Sequence, residues 1–312
     1  MPEKQTPDAA KLLATGIILA MIGAIAFSGK AIIVKLAYRY GVDAITLIML
    51  RMVFALPFFL AMSWWAKKLQ KSQKDEKLHS SYSLTRKDWI GIVGLGVSGY
   101  YLASFLDFAG LQYITASLER LILYLNPTLV LLLGLIFAKK AIHRSQLVGM
   151  LISYTGVLLV FGKETLLQGS DVILGSALVF GSAISYAIYL FFSGEMVQRI
   201  GSMRLVGLAT SVACVLCILQ FVLLRPLESV LLVPMPVITL SIFNAIACTV
   251  VPVMLVMMAI ERIGSGLAAQ VGMVGPMSTM AMGVLLLDEP LSAGLVAGTL
   301  LVLAGVFVVV RR

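Results

Sequence analysis

Five ionisable residues lie inside long apolar stretches of the sequence: Lys30, Arg51, Asp107, Glu119 and Arg120. At the centre of a lipid-embedded helix such a residue costs about 2.5–3.5 kcal/mol on insertion scales, so it persists where it pairs, lines a wet cavity or takes part in function. Lys30 or Arg120 could meet a carboxylate. Asp107 or Glu119 could meet an amine or carry a proton. These residue types predict a site for a small polar compound near the middle of the membrane.

Structural pairing is the competing explanation for the same charges. Arg51 or Arg120 could pair with Asp107 or Glu119 without any ligand. Arg51 could also extend along its helix until the guanidinium reaches the interface. Glu119 and Arg120 are adjacent and cannot share one helix face, so at most one of them points into a given cavity. The sequence leaves these alternatives open.

Two tyrosines in the apolar stretches are further candidates for the same cavity. Tyr186 and Tyr189 are three residues apart and share a helix face. In the internal alignment described below, Tyr189 takes the position of Lys30, so we expect both to face the cavity. Helix packing and an interfacial aromatic belt remain the alternatives for each tyrosine.

Three prolines inside the apolar stretches are candidate kinks or hinges, because each removes a backbone hydrogen bond: Pro127, Pro252 and Pro276. Gly294 and Gly298 form a GxxxG pair, which favours close helix packing within the chain or between two chains. The oligomeric state therefore stays open between a monomer and a homodimer.

The composition places these residues in a membrane protein. Of the 312 residues, 60% are hydrophobic and 12% are charged, against about 45–50% and about 25% in a soluble protein. This excludes a soluble enzyme, a disordered chain and a disulfide scaffold. The net charge of +9 does not indicate a nucleic-acid partner, because seven of the 24 basic residues lie in one stretch, 67–87, as in a loop beside a membrane.

Apolar runs long enough to cross the hydrocarbon core need about 20 residues. We predict ten of them, at 12–34, 44–65, 89–109, 114–137, 145–161, 172–194, 205–224, 237–259, 266–287 and 291–310. The alternation typical of a β-barrel is absent, so the fold class is an all-α membrane protein.

The basic residues predict the orientation of these spans. With both termini in the cytoplasm, 17 of the 24 fall in cytoplasmic segments, four on the opposite side and three within spans. Such an excess is typical of the cytoplasmic side. We therefore predict a multi-pass protein of the cell (inner or plasma) membrane.

The second half of the sequence repeats the first. At an offset of 149 residues, helix-shaping residues coincide: Pro127 with Pro276, Gly134 with Gly283, Gly149 with Gly298 and Gly156 with Gly305. Near the start of each half the offset is 159 to 160, with Gly16 on Gly175 and Gly41 on Gly201. We predict a tail at 1–11, repeats at 12–162 and 172–310, a linker at 163–171 and an end at 311–312. Five spans per repeat is an odd number, so the second repeat is inverted, as in many secondary transporters.

Several segments resemble a known family. Residues 288–305, with an acidic-Glu-Pro turn and a glycine-spaced helix, resemble the end of an EamA repeat, and residues 118–128 are similar to the fourth helix of bacterial EamA transporters. Ser28-Gly29-Lys30 adds to the match, whereas Lys139-Lys140 lacks the Glu-Pro turn. The resemblance to this branch of the drug/metabolite transporter superfamily implies two inverted five-helix repeats around a central cavity. It also implies movement of small metabolites by alternating access, and bacterial members include amino-acid exporters.

The leading hypothesis is thus a secondary transporter, an exporter of an amino acid or a related polar or amphipathic compound. A channel-like or lipid-moving protein with the same cavity is the alternative, and an intramembrane enzyme ranks below both. The sequence holds no His-Glu-x-x-His and no phosphate-binding loop, and His79 and His143 fall in predicted loops. We expect no enzymatic activity, cofactor or metal. Asp107 and Glu119 raise the further hypothesis of proton coupling.

Overall fold

A computed structural model describes residues 7–72, 84–139 and 141–310, which are helical with short connections and contain no β-strand. Three predictions fall wholly or partly outside these residues: most of the basic loop with His79, the first six residues of the tail, and the end at 311–312.

Thirteen α-helices make up the described chain, and they are numbered here in order. They are α1 (Pro7–Tyr38), α2 (Ala44–Ser72), α3 (Arg86–Gly96), α4 (Ala103–Gly110), α5 (Ala116–Leu123), α6 (Asn126–Ala138), α7 (Arg144–Gln168), α8 (Asp171–Ile200), α9 (Ser202–Leu224), α10 (Met235–Ala245), α11 (Val251–Gly272), α12 (Val274–Leu287) and α13 (Ala293–Val310). A π-helical segment joins α3 to α4 (Val97–Leu102), and another joins α10 to α11 (Ile246–Val250).

Ten helical stretches of the described residues are long and apolar enough to cross a membrane. The predicted fold class and number of spans are therefore confirmed. The bounds differ by a few residues. The fifth span, predicted at 145–161, extends over Arg144–Leu166, because the helix continues through Lys163 and Glu164 after the apolar run has ended.

Irregular backbone features recur at the offsets of the sequence repeat. The two π-helical segments begin 149 residues apart, at Val97 and Ile246. Lys139 and Asp288, also 149 apart, both end a helix in the left-handed conformation, with φ of 51° and 60°. Gly41 and Gly201 likewise share positive φ, at 75° and 82°. Bulges and caps of this kind are specific local features, so their recurrence extends the repeat from sequence to backbone.

The fifth helices of the two repeats, α7 and α13, pack through facing glycines. Gly149 lies against Gly305, and Gly156 against Gly298. A methyl group at Gly149 would stand 2.7 Å from the carbonyl oxygen of Gly305, and one at Gly156 would stand 2.6 Å from that of Gly298. The first contact pairs the earlier residue of α7 with the later residue of α13, so the two helices run antiparallel. Gly298 of the GxxxG pair thus packs within the chain.

Other equivalent helices pack in the same antiparallel manner. In α9, Gly207 lies against Phe59 and Ser63 of α2, and Cys214 lies against Met52 further back along α2. The first helix of each repeat packs on the third helix of the other, α1 on α11 and α8 on α4. The space enclosed by these exchanged contacts contains the candidate site.

Candidate functional site

A cavity of about 280 Å³ lies between the two repeats. Both contribute to its wall: the first repeat through α1, α2, α4, α5 and the segment before α4, and the second through α8, α9 and α11. Four charged residues line it, namely Lys30, Arg51, Asp107 and Arg120. The predicted candidates Lys30, Asp107, Arg120 and Tyr186 therefore share one cavity.

The charged residues lie off-centre along the membrane-spanning helices. Lys30 is eight residues before the end of α1, about 12 Å at 1.5 Å per residue. Asp107 is three residues before the end of α4, and Glu119 three residues after the start of α5. The connections at 39–43 and 111–115 lie together, since Lys35 Nζ donates hydrogen bonds to the carbonyl oxygens of Leu111 and Ile114. This end of the bundle is called the 39–43 end.

Lys30 lies between two carboxylates. Its Nζ is 2.5 Å from Oδ2 of Asp107 and 3.6 Å from Oε1 of Glu119. Glu119 has no exposed surface and does not line the cavity, and neither of its side-chain oxygens accepts a hydrogen bond. The structure therefore places Glu119 behind the lysine, where it is an acidic neighbour of Lys30 that does not reach the cavity.

Arg120 and Glu119 both belong to α5, but Arg120 faces the cavity and Glu119 does not. Its Nη2 donates to Oγ of Ser28 at 3.1 Å, and its guanidinium carbon stands 5.2 Å from the ring centre of Phe27 and 5.6 Å from that of Tyr124. Stacking on aromatic rings favours a guanidinium over an ammonium. Nε of Arg120 is buried and has no partner.

Arg51 lines the cavity as well. Instead of extending to the interface, its side chain crosses to α4, where Nη2 donates to Oγ of Ser104 at 3.0 Å and the guanidinium lies 4.6 Å from the ring centre of Phe108. Nε of Arg51 is buried without a partner. The internal alignment held a clue: at the offset of 159, Arg51 coincides with Thr210, which also lines the cavity.

Positive charge exceeds negative charge in the cavity wall. Lys30 has two acidic neighbours, whereas neither Arg51 nor Arg120 has a carboxylate within 4 Å among the described residues. Both guanidiniums also keep an unused Nε–H. Buried donors without partners are rare in folded proteins, and strain, a functional role or a bound water or ion can account for them. The wall can accept an anionic group without displacing an existing ion pair.

The two candidate tyrosines lie in different positions relative to the cavity. Tyr186 lines the cavity. Tyr189 instead packs behind it, with its ring 5.1 Å from Tyr100 and 5.6 Å from Tyr186 and its side chain against Gly99. Gly99 lies in the first π-helical segment, and its missing side chain provides the space that the ring fills. A helix periodicity could not reveal this slot, since it belongs to another helix.

All three candidate prolines stand in the first turn after a break in a helix. Pro127 follows the break at Tyr124–Leu125, Pro252 follows the second π-helical segment, and Pro276 follows the break at Met273. For Pro127 and Pro276, which lie in the first turns of α6 and α12, a missing N–H costs no helical hydrogen bond. The prolines thus mark where spans are interrupted.

No group of three or more His, Cys, Asp or Glu side chains within the described residues could hold a metal ion. The three cysteines are free and buried.

Comparison with known proteins identifies the family. The model of the EamA-like transporter family matches residues 14–162 and again residues 173–311. The chain belongs to this family. The EamA resemblance seen in the sequence is therefore confirmed, and the two matched copies give the protein the two-repeat EamA architecture.

Relatives of this EamA protein carry transporter names. It is 28% identical over 307 residues to "Uncharacterized transporter YcbK" of Bacillus subtilis (strain 168), covering 95% of this chain and 92% of that one. A transporter of Archaeoglobus fulgidus is 28% identical over 72% of this chain and 79% of its own. A solved crystal structure aligns with 94% of both chains at a TM-score of 0.61 and 16% identity, which shows a shared fold. The EamA protein is thus a multi-pass membrane transporter, and the family indicates transport in place of catalysis.

Proposed function

We propose that this protein is a secondary transporter that exports a small amphipathic metabolite bearing a carboxylate, such as an amino acid, by alternating access. The observation that carries the proposal is the pair of buried guanidiniums, Arg51 and Arg120, that face one cavity without acidic partners. A substrate carboxylate would accept hydrogen bonds from guanidinium groups that have no acidic partner within the described residues.

The cavity also suits the rest of such a molecule. Its volume of about 280 Å³ is near the lower end of ligand pockets, about 300 Å³. Apolar and aromatic side chains, including Phe27, Phe59 and Tyr186, line it beside the charges. Asp107 is the acidic residue of the wall and could receive an amine while it stays near Lys30. The combination favours a compound with a charged head and an apolar side chain.

Antiparallel packing of equivalent helices supports alternating access. Two inverted copies related by a pseudo-two-fold axis can exchange conformations, which exposes a site between them first to one side and then to the other. The facing pairs Gly149–Gly305 and Gly156–Gly298 obey such an axis, because the equivalents of Gly149 and Gly305 are Gly298 and Gly156, which also face each other. We propose the inner membrane, cytoplasmic termini and outward transport from the basic-residue distribution and the family resemblance.

Counterflow in liposomes tests the proposal. Liposomes that contain the purified protein are loaded with unlabelled amino acids, and uptake of a labelled amino acid is measured. A carrier shows trans-stimulation, whereas a channel-like or lipid-moving protein does not. Lys30→Ala and Glu119→Gln should abolish counterflow, while Arg39→Gln, an exposed arginine at the same end of the bundle, should leave it intact. Normal counterflow in both site variants would refute the site.

Proton coupling is a second proposal, motivated by the position of Lys30 between Asp107 and Glu119. Arg120 from α5 and Arg51 from α2 face the same cavity as this group. A proton added to either carboxylate would weaken the ion pair that joins α1 to α4 and α5. Transport by the unmodified protein should then respond to an imposed pH gradient. Flux that ignores the gradient in the unmodified protein would refute coupling.

A further inference from the structure

We propose that Glu289 is a positioning residue that holds the start of α5 and so keeps the cavity closed at the 39–43 end; this rests on the proposed alternating access. Glu289 lies in the connection between α12 and α13, in the second repeat, and is 8% exposed. It does not line the central cavity. Its effect on the site would therefore pass through α5.

Glu289 caps α5 from the other repeat. Its Oε1 accepts a hydrogen bond from the backbone N–H of Ala116 at 2.7 Å. Its Oε2 accepts from the N–H of Ser117 at 3.3 Å and from Oγ of Ser117 at 2.6 Å. The first N–H groups of a helix have no internal partner and carry partial positive charge, so a carboxylate here binds firmly.

The first repeat supplies the rest of the cap. Oγ1 of Thr115 accepts from the N–H of Leu118 at 3.1 Å and donates to Oε1 of Glu164 at 2.5 Å. Glu164 belongs to α7 of the same repeat as α5, whereas Glu289 reaches α5 across the boundary between repeats. A relative movement of the repeats would therefore stretch or break the hydrogen bonds of Glu289.

The capped helix carries two residues of the charged cluster. Glu119 and Arg120 follow Ala116 by three and four residues, one helical turn from the cap. The helix has eight residues and is interrupted right after Leu123, so it can shift as one short rigid piece. Such a shift would carry Glu119 away from Lys30 and Arg120 away from Ser28.

α5 forms part of the barrier between two cavities. A second cavity of about 750 Å³ at the 39–43 end is lined by Lys35, Arg39, Asp43 and Glu289, among others, and shares no lining residue with the central one. Along the chain, the fully buried Phe108, Leu111 and Leu118 separate residues that line one cavity from residues that line the other. Tyr38 closes the same layer by donating to the carbonyl oxygen of Phe108 at 2.6 Å.

The local sequence is fitted to this carboxylate. A methyl group at Gly283 would lie 2.6 Å from Oε2 of Glu289, so only glycine leaves room for it. The equivalent Gly134 has its nearest such neighbour, Phe191, at 3.9 Å. At the offset of 149, Glu289 coincides with Lys140 and Thr115 with Gly264. The other repeat thus lacks the residue types that make the cap.

Side-specific cysteine labelling tests the proposal. Thr249 lines the central cavity and is replaced by Cys, and a membrane-impermeant methanethiosulfonate is added to one face of vesicles at a time. Labelling of Asp288→Cys, which is largely exposed, identifies the face that carries the 39–43 end. The same variants without Thr249→Cys give the background of the three native cysteines.

Glu289→Gln should raise the labelling rate from the 39–43 face about tenfold, since bonds to a charged acceptor hold the closed state. It should not raise the rate from the opposite face, as a general loosening of the fold would. Ser117→Ala, which removes one of the three hydrogen bonds, should raise the labelling rate from the 39–43 face about threefold. This variant tests the proposal if Glu289→Gln does not fold. Asp288→Asn, the exposed neighbour, should leave the rate unchanged.

An unchanged rate in both Glu289→Gln and Ser117→Ala would overturn the proposal, as would an equal rise on both faces. Labelling needs no substrate, so its outcome is separate from that of counterflow. A face-specific rise without counterflow would retain the role of Glu289 and refute the proposed function. Counterflow without a rise in the labelling rate would support the proposed function and refute the role of Glu289.

Discussion

Among single residues, Arg51 offers the sharpest test of what the cavity binds. Arg51→Gln removes a guanidinium whose Nε has no partner within the protein. If a substrate carboxylate uses it, affinity should fall by about 10- to 100-fold, because a hydrogen bond to a charged group contributes about 1.5–3 kcal/mol. Arg51→Lys should recover only part of the lost affinity, since it restores the charge without the planar guanidinium that can donate two parallel hydrogen bonds. Substrate-concentration dependence of counterflow measures this, and an unaltered KM for Arg51→Gln would show that the carboxylate binds elsewhere.

The buried ion pair predicts a different kind of loss. Lys30→Ala leaves Asp107 and Glu119 buried without a cation, and removal of one partner of a buried pair typically costs about 3–5 kcal/mol. We expect a clear drop in the melting temperature of the detergent-solubilised protein. The double variant Lys30→Ala/Glu119→Gln should recover part of it, because one of the two uncompensated charges is gone. Equal melting temperatures for the single and double variants would mean that Glu119 does not interact with Lys30.

Sequence reasoning found the buried charges but not their arrangement. Lys30, Asp107 and Arg120 stand out because lysine, aspartate and arginine are rare in apolar runs. That Glu119 lies behind Lys30 and that Arg51 reaches α4 depends on how α2, α4 and α5 are rotated about their axes. In spans that are apolar on every side, the sequence carries little record of that rotation.

At the level of helices, Asp43 caps α2 at the 39–43 end. Its Oδ1 accepts from the N–H groups of Ile45 and Thr46 at 2.9 and 3.2 Å. Partial burial alone would raise the pKa of Asp43, but the hydrogen bonds from Thr46 and the charge of Arg225 hold that pKa below its usual value. A lowered pKa in the folded state means stability that is present above the unfolded pKa, about 4, and lost as the pH falls through the folded value.

Asp43→Ala should therefore destabilise the protein by about 1 kcal/mol at neutral pH, the usual effect of losing such a cap. Asp43→Asn keeps an acceptor and should lose less. The difference between Asp43→Ala and the unmodified protein should shrink below about pH 4 as Asp43 takes up a proton. Thermal melts across pH measure it, and a difference that grows toward acid would contradict the assigned sign.

The contact between α7 and α13 separates the two glycines of the GxxxG pair. A methyl group at Gly298 would collide with Val160 and lie 2.7 Å from the carbonyl oxygen of Gly156, whereas one at Gly294 meets its nearest neighbours at 3.4 Å. Gly298→Ala should thus lower stability by about 1–3 kcal/mol through overpacking, and Gly294→Ala should be nearly neutral. Comparable melting temperatures for the two variants would argue against this close contact.

The number of spans could be predicted well because the hydrocarbon thickness sets how many apolar residues each span needs. The interruptions could not. The π-helical segments at Val97–Leu102 and Ile246–Val250 contain no proline, and the insertion of a residue into a helical turn leaves no periodic trace in a uniformly apolar run. Pro127, Pro252 and Pro276 did point to breaks, but each stands just after its break and not at it.

Over the whole molecule, the backbone repeats while the chemistry does not. Glycines, π-helical segments and left-handed caps recur between the halves. The charged residues that line the central cavity, and Glu119 beside Lys30, occur in the first half, and their counterparts in the second are uncharged: Lys30 with Tyr189, Asp107 with Val256 and Glu119 with Ala268. The two halves thus share the features that shape the backbone and differ in the side chains around the cavity.

This inequality has a consequence for any molecule that crosses. A symmetric dimer of identical half-length chains would place the same side chains on both sides of its cavity. Because the two halves differ in sequence, the charges of the cavity wall can all come from one half, and we expect a bound molecule with a charged head to lie with that head toward the 39–43 end.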